Sequence, residues 1–189
     1  MIQTTVVPDR IALVSAAIAL VGVVSSGYAQ RLVEPSWVAE RVAEPDVVVL
    51  HVGTQSGYTN GHLPNAQLIT VADMSAPESL PRPNQALADS AELRFEIGDV
   101  DSIAAKLASL GISEDSEIVL YGEPDQPLPS TTRVAFALSY VGLGDNVRLL
   151  NGGMDAWMAS GYEVSNTVPA DPSAASLRLT PQEDLIADA

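Results

Sequence analysis

The sequence predicts an α/β domain in which a central parallel sheet carries helices on its faces. Three observations predict it. Val47 to Val52 (VVVLHV) is a nearly unbroken run rich in β-branched residues, the pattern of a strand covered on both sides rather than one with a wet face. Glu117 to Tyr121 (EIVLY) repeats that pattern. Helical stretches lie between and after these runs on short loops, and strands alternating with helices are what parallel βαβ units look like in sequence.

The elements follow in order. Ile11 to Val24 is an apolar run behind Arg10, followed by small and polar residues to Ala29. It is shorter than the roughly 20 residues a spanning helix needs, and Gly27 and Ala29 suit the −3 and −1 positions of a cleavage site. Residues 1–29 are therefore expected to be a signal peptide, cleaved after Ala29, that leaves the domain extracytoplasmic, periplasmic or secreted. Contact with a membrane is expected only if this segment stays uncleaved.

Pro35 to Glu44 reads as a short helix stopped by Pro45-Asp46, and Gly53 to Gly61 as a polar loop after the Val47–Val52 strand. Gln67 to Val71 is a further strand, and Pro77, Pro81 and Pro83 make Ala72 to about Ser90 a surface excursion. Asp99 to Leu110 places Val100, Ile103, Leu107 and Leu110 on one helical face, with Asp99 as cap and Gly111 just beyond the end. After the Glu117–Tyr121 strand comes a proline-rich loop from Gly122 to Pro129, then a helix capped by Ser130 or Thr131 and running to about Val141. Asn146 to Leu150 is one more strand, Gly152-Gly153 a turn, and Met154 to Ser160 a helix ending at Gly161.

Composition narrows the function. Twenty-four acids against nine Lys+Arg give a net charge of −15, which repels nucleic acid and anionic membrane surfaces. Lys106 is the sole lysine, and this acidity suits either life at high salt or an ordinary acidic exported protein. There is no cysteine, so disulfides, thiolate metal sites and every cysteine nucleophile are excluded together. With only two histidines besides, neither a metal nor a cofactor is expected.

Three segments carry a resemblance. Val48 to Ala66 (VVLHVGTQSGYTNGHLPNA) joins a hydrophobic strand to Tyr58, Gly61, His62, Pro64 and Ala66; Ile118 to Phe136 is a strand ending in tyrosine, a loop, and a helix opening with Thr132-Arg133-Val134; Val147 to Trp157 reads VRLLNGGMDAW. In this order they resemble the rhodanese family, and most of all the non-catalytic amino-terminal half of the tandem thiosulfate and mercaptopyruvate sulfurtransferases. The resemblance implies a rhodanese-like three-layer sandwich over residues 30–165, with Tyr58, Gly61, His62, Pro64, Gly152, Gly153 and Trp157 as the structural motif. Two departures stand out: His51 where the family usually has Asp, and Gly53 where it often has Arg.

In active members of that family a cysteine follows the strand at the place where Tyr121-Gly122 stands here, attacks the outer sulfur of the donor and holds it as a persulfide. Serine and threonine oxygens form no persulfide, so no catalytic residue is expected. What remains is a degenerate loop, Gly122, Glu123, Pro124, Asp125, Gln126, Pro127, Leu128, Pro129 and Ser130. With Arg133 in the first turn of the following helix it has the makings of a weak anion contact, which Glu123 and Asp125 would oppose.

His51 has no second histidine, cysteine or acid at ligand spacing beside it, and the resemblance implies that His62 is a structural residue bonding nearby backbone. Tyr58, Trp37 and Trp157 read as packing. From Asn166 to Ala189 the composition is that of a flexible linker, similar to the stretch that leads to the cysteine-bearing domain of the tandem enzymes. Three functions fit: a binding or scaffolding module, the non-catalytic subunit of a split sulfurtransferase whose cysteine-bearing rhodanese domain is a separate chain, and a degenerate remnant.

Overall fold

The computed structural model describes residues 31–77, 96–124, 129–170, 172 and 176–185. The expected signal peptide, residues 78–90 of the surface excursion, and Asp125, Gln126, Pro127 and Leu128 lie outside them.

Five strands form one sheet: β1 (Leu32–Val33), β2 (Val47–Val52), β3 (Gln67–Ile69), β4 (Glu117–Gly122) and β5 (Val147–Leu150). Their spatial order is β1-β5-β4-β2-β3, and every neighbouring pair is parallel. The two β-branched runs lie side by side at the centre, with Val49 opposite Val119 and His51 opposite Tyr121. The connection after β2 leads outward to β3, whereas that after β4 leads the other way to β5. The chain therefore switches direction between β2 and β4, and the loops leaving their carboxyl ends diverge around a crevice.

Strand side chains alternate between two cores. Leu50, Val52, Ile118 and Leu120 turn to one face, where they meet α3 (Val100–Ser109) through Ile103 and Leu107, and α4 (Pro129–Tyr140) through Val134 and Leu138. Val47, Val49, Val119 and Tyr121 turn to the other, where they meet α1 (Pro35–Arg41) through Val38 and α5 (Gly153–Ala159) through Met154 and Trp157. Helix α3 starts where its sequence says it should, Asp99 accepting from the Ser102 N–H at 2.9 Å.

Three expectations need correction, and one strand is additional to them. The segment Gly53 to Gly61 is not all loop: Gln55–Asn60 forms α2, capped by Thr54, whose hydroxyl accepts from the Gly57 N–H at 3.0 Å. The short edge strand β1 was not anticipated. Helix α4 begins at Pro129, so Ser130 and Thr131 sit in its first turn rather than capping it. The carboxy-terminal segment is not a free linker where it is described. Leu177 and Leu179 pack against the α3/α4 core, and the Thr180 and Gln182 N–H groups donate to the Val141 and Tyr140 carbonyls at 3.2 and 2.6 Å, satisfying groups that the end of α4 leaves open.

Candidate functional site

The crevice between the ends of β2 and β4 is filled by polar side chains of the protein itself. Tyr121, the penultimate residue of β4, is 1% exposed, and its hydroxyl lies 2.9 Å from both the Leu63 nitrogen and His51 Nδ1. The other ring nitrogen, His51 Nε2, lies 3.3 Å from Glu123 Oε1. That oxygen also accepts from the Thr54 N–H, and from the Thr54 hydroxyl at 3.0 Å.

A carboxylate only accepts, so His51 Nε2 carries its proton; burial favours the neutral ring, which leaves Nδ1 bare to accept from the Tyr121 hydroxyl while that oxygen accepts from the Leu63 N–H. The result is one chain, Leu63 N–H to Tyr121 O–H to His51 to Glu123, with a neutral imidazole in the middle. Burial lowers the His51 pKa below its ordinary 6.5; the Glu123 carboxylate opposes that shift and His62 adds to it. Burial works against ionising Glu123, but the Thr54 and His51 hydrogen bonds outweigh it and hold the carboxyl below its usual range. Burial pushes the Tyr121 hydroxyl well up, so it stays protonated.

The Glu123 side chain is only 8% exposed. It fits because two glycines make room: a Cβ on either Gly53 or Gly57 would collide with the Glu123 carboxylate. His51 and Gly53, the two positions that depart from the family pattern, are thus residues Glu123 packs against. An acid expected to sit on the loop and repel ligands is instead folded inward, and His51 gains an acid neighbour 72 residues further along the chain.

The remaining predicted residues form a supporting layer. Tyr58 donates to the Ala66 carbonyl at 2.7 Å and stacks on His62 at 4.0 Å, while the His62 ring nitrogens lie 2.8 and 3.2 Å from the Tyr58 and Thr167 carbonyl oxygens. Gly61 ends α2, and Pro64 enters a turn in which Asn65 takes φ 60, a left-handed conformation open to asparagine. Gly152, the cap of α5, and Gly153, its first residue, take φ 72 and 59, and Trp157 is buried with its indole N–H on the Glu163 carbonyl at 2.9 Å. Arg133 is half-buried, its guanidinium 5.8 Å from the centre of the Phe136 ring; burial lowers its pKa. Glu123 and Arg133 are not brought together by any contact among the described residues.

Two cavities flank Glu123. One, of 390 Å³, lies between the loops after β4 and β5 and is lined by Leu32, Gly122, Thr131, Gly153 and Met154 among others. The second, of 350 Å³, lies toward α2 and α5. Glu123 and Met154 line both. Among the described residues no cluster of His, Asp or Glu could hold a metal ion, and no helix is long and apolar enough to cross a membrane.

Residues 34–160 match the family of rhodanese-like domains. The chain belongs to the rhodanese-like family. It is 34% identical over 149 residues to a thiosulfate sulfurtransferase of Corynebacterium glutamicum, covering 78% of this chain and 44% of that protein. It is 30% identical over 146 residues to a probable 3-mercaptopyruvate sulfurtransferase of Pseudomonas aeruginosa, covering 72% of this chain and 47% of that protein. The chain thus spans about half the length of these relatives. The fold is also that of the 3-mercaptopyruvate sulfotransferase SseA from Escherichia coli, with a TM-score of 0.64 at 18% identity over 81% of this chain and 57% of that one. This rhodanese-like domain differs from the family's sulfur-carrying members in having no cysteine.

Proposed function

We propose that the chain is a non-catalytic rhodanese-like domain that acts outside the cytoplasm as a binding or scaffolding module. One observation carries the reading: where rhodanese-family enzymes place a thiolate after this strand, the present chain has Tyr121-Gly122 and then a carboxylate turned inward. The thiolate is both the nucleophile and the sulfur carrier in that chemistry. Glu123 supplies neither function, and Thr54 and His51 already occupy one of its oxygens. The apolar run at Ile11–Val24 and the small residues up to Ala29 support export, and the net charge of −15 argues for a protein or small-molecule partner rather than nucleic acid.

A second reading is supported by the chain's spanning 44–47% of its sulfurtransferase relatives. In it, this domain is the non-catalytic partner of a cysteine-bearing rhodanese domain that lies outside this sequence. Both readings are tested by incubating the purified chain with thiosulfate and cyanide and measuring thiocyanate. We expect no turnover above a heat-killed control from the chain alone; turnover would overturn both. Activity raised by adding a cysteine-bearing rhodanese domain, beyond what that domain shows by itself, would select the second.

A further inference from the structure

The 350 Å³ cavity beside Glu123 has walls and a charge that suit one kind of ligand. Met154, Met158, Val164 and Pro124 form its sides, with Gly57 and Asn60 along α2. Met158 and Val164 are each 42% exposed, so the groove opens to solvent over apolar surface. The carboxylate at its inner end is held half-used. Oε1 takes the Thr54 N–H, the Thr54 hydroxyl and His51 Nε2, whereas Oε2 accepts no hydrogen bond among the described residues. Glu123 lines the groove beside Gly57, so the carboxylate stands at its wall.

Glu123 is also the only charged residue lining the groove among those described. A fixed, partly desolvated carboxylate with a vacant acceptor attracts a cation more strongly than a mobile surface acid does, because no side-chain freedom is lost on pairing and water screens it less. Methionine side chains adapt to aliphatic groups of different shape, and a lysine or arginine stem is an aliphatic group that ends in a cation. The chain's net charge of −15 favours approach of a basic partner.

We propose that this groove is a receptor for a lysine or arginine side chain of a protein partner, with Glu123 as the fixed counter-charge and the methionine walls holding the aliphatic stem. The proposal rests on the binding-module reading and names the chemistry of its partner.

The test uses the full chain labelled at its methionine methyls, titrated with a short acetylated peptide containing one arginine, and with the same peptide carrying citrulline, a neutral isostere. The Met154 and Met158 methyls should shift saturably with the arginine peptide, while the Met74 methyl, buried in the opposite core, stays still. The citrulline peptide should produce no saturable shift. Glu123→Gln should weaken arginine-peptide binding by about tenfold, the difference between a charged and a neutral acceptor. Met158→Lys, which leaves the Glu123 contacts in place and supplies a tethered cation, should abolish it. Equal binding of the citrulline peptide, or no methyl shift with either, would overturn the proposal. Failure here leaves a chain that still makes no thiocyanate, whereas thiocyanate formation removes the binding-module reading itself, so the two failures are told apart.

Discussion

Leu120 and Tyr121 are consecutive residues of one strand, and they face two differently built halves of the molecule. Leu120 enters a core in which Leu50, Ile118, Ile103, Leu107, Val134 and Leu138 are each no more than 1% exposed and carry no polar side-chain atom. Tyr121 enters a core that also contains His51, Tyr58 and His62, all buried and all hydrogen-bonded. The first half needs only volume and patterning, and many apolar side chains would serve. The second depends on particular donors meeting particular acceptors, because a buried polar group without a partner costs more than a made hydrogen bond contributes. The half with the demanding chemistry is also the half that leads into the candidate site.

Substitution at these two neighbours sharpens the contrast most. Leu120→Ala should destabilise by about 3 kcal/mol through lost burial and a residual cavity, with the hydrogen-bond chain unchanged. Tyr121→Phe keeps almost all the volume, yet should cost about 2 kcal/mol, because it strands the Leu63 N–H and His51 Nδ1. Urea denaturation gives both values. A phenylalanine variant as stable as the parent would mean that the polar half is packed, not bonded.

A smaller effect tests whether Glu123 really occupies the space between the glycines. Gly57→Ala should destabilise by about 1 kcal/mol, even though alanine is the better helix former, since the new Cβ collides with a carboxylate held by Thr54 and His51. In a Glu123→Ala background the same change should instead stabilise slightly, and this sign reversal is read from a double-mutant cycle. Additive effects would place Glu123 elsewhere.

How much of this was legible in the residues depends on how locally each feature is encoded. Strands β2 and β4 were readable because each holds four consecutive apolar residues, Val47–Leu50 and Ile118–Tyr121, a run too short for a buried helix, and α3 because its period and its Asp99 cap agree. Strand β1 has two residues, too few to show a period. Helix α2 is written in Gln, Ser, Gly, Thr and Asn, a turn composition; the signal that could have found it is Thr54 as cap, with Tyr58 as its buried anchor. The carboxy-terminal segment has the composition of a linker, and only the fold shows that Leu177 and Leu179 meet a core. In the site, the absent cysteine was plain from composition. The inward turn of Glu123 was not, because it depends on Thr54 and His51 meeting a residue 69 and 72 positions away, and no local pattern encodes such a meeting.

The smallest predicted effect is on pH dependence, and in the polar half it comes from His51 and Glu123. His51 has a folded pKa below its unfolded 6.5, so its neutral form favours folding above that value and the contribution is lost as pH falls through the folded pKa. Glu123 has a folded pKa below its unfolded 4.5, so its contribution is present above that value and is lost at still lower pH. Both act in the same direction: Tm should fall gradually on acidification from about pH 6.5. Glu123→Gln should remove the part below pH 4.5 that this carboxyl contributes. A stability that rose on acidification through this window would contradict the assignment of both groups.

The central claim is that this rhodanese-like domain turns a carboxylate inward just past Tyr121-Gly122, where the family's enzymes carry their cysteine, and the proposal built on it is that the chain takes up no sulfur. The most direct measurement is the intact mass of the purified chain after incubation with thiosulfate. The mass should be unchanged; a gain of one sulfur atom that cyanide removes would contradict the account.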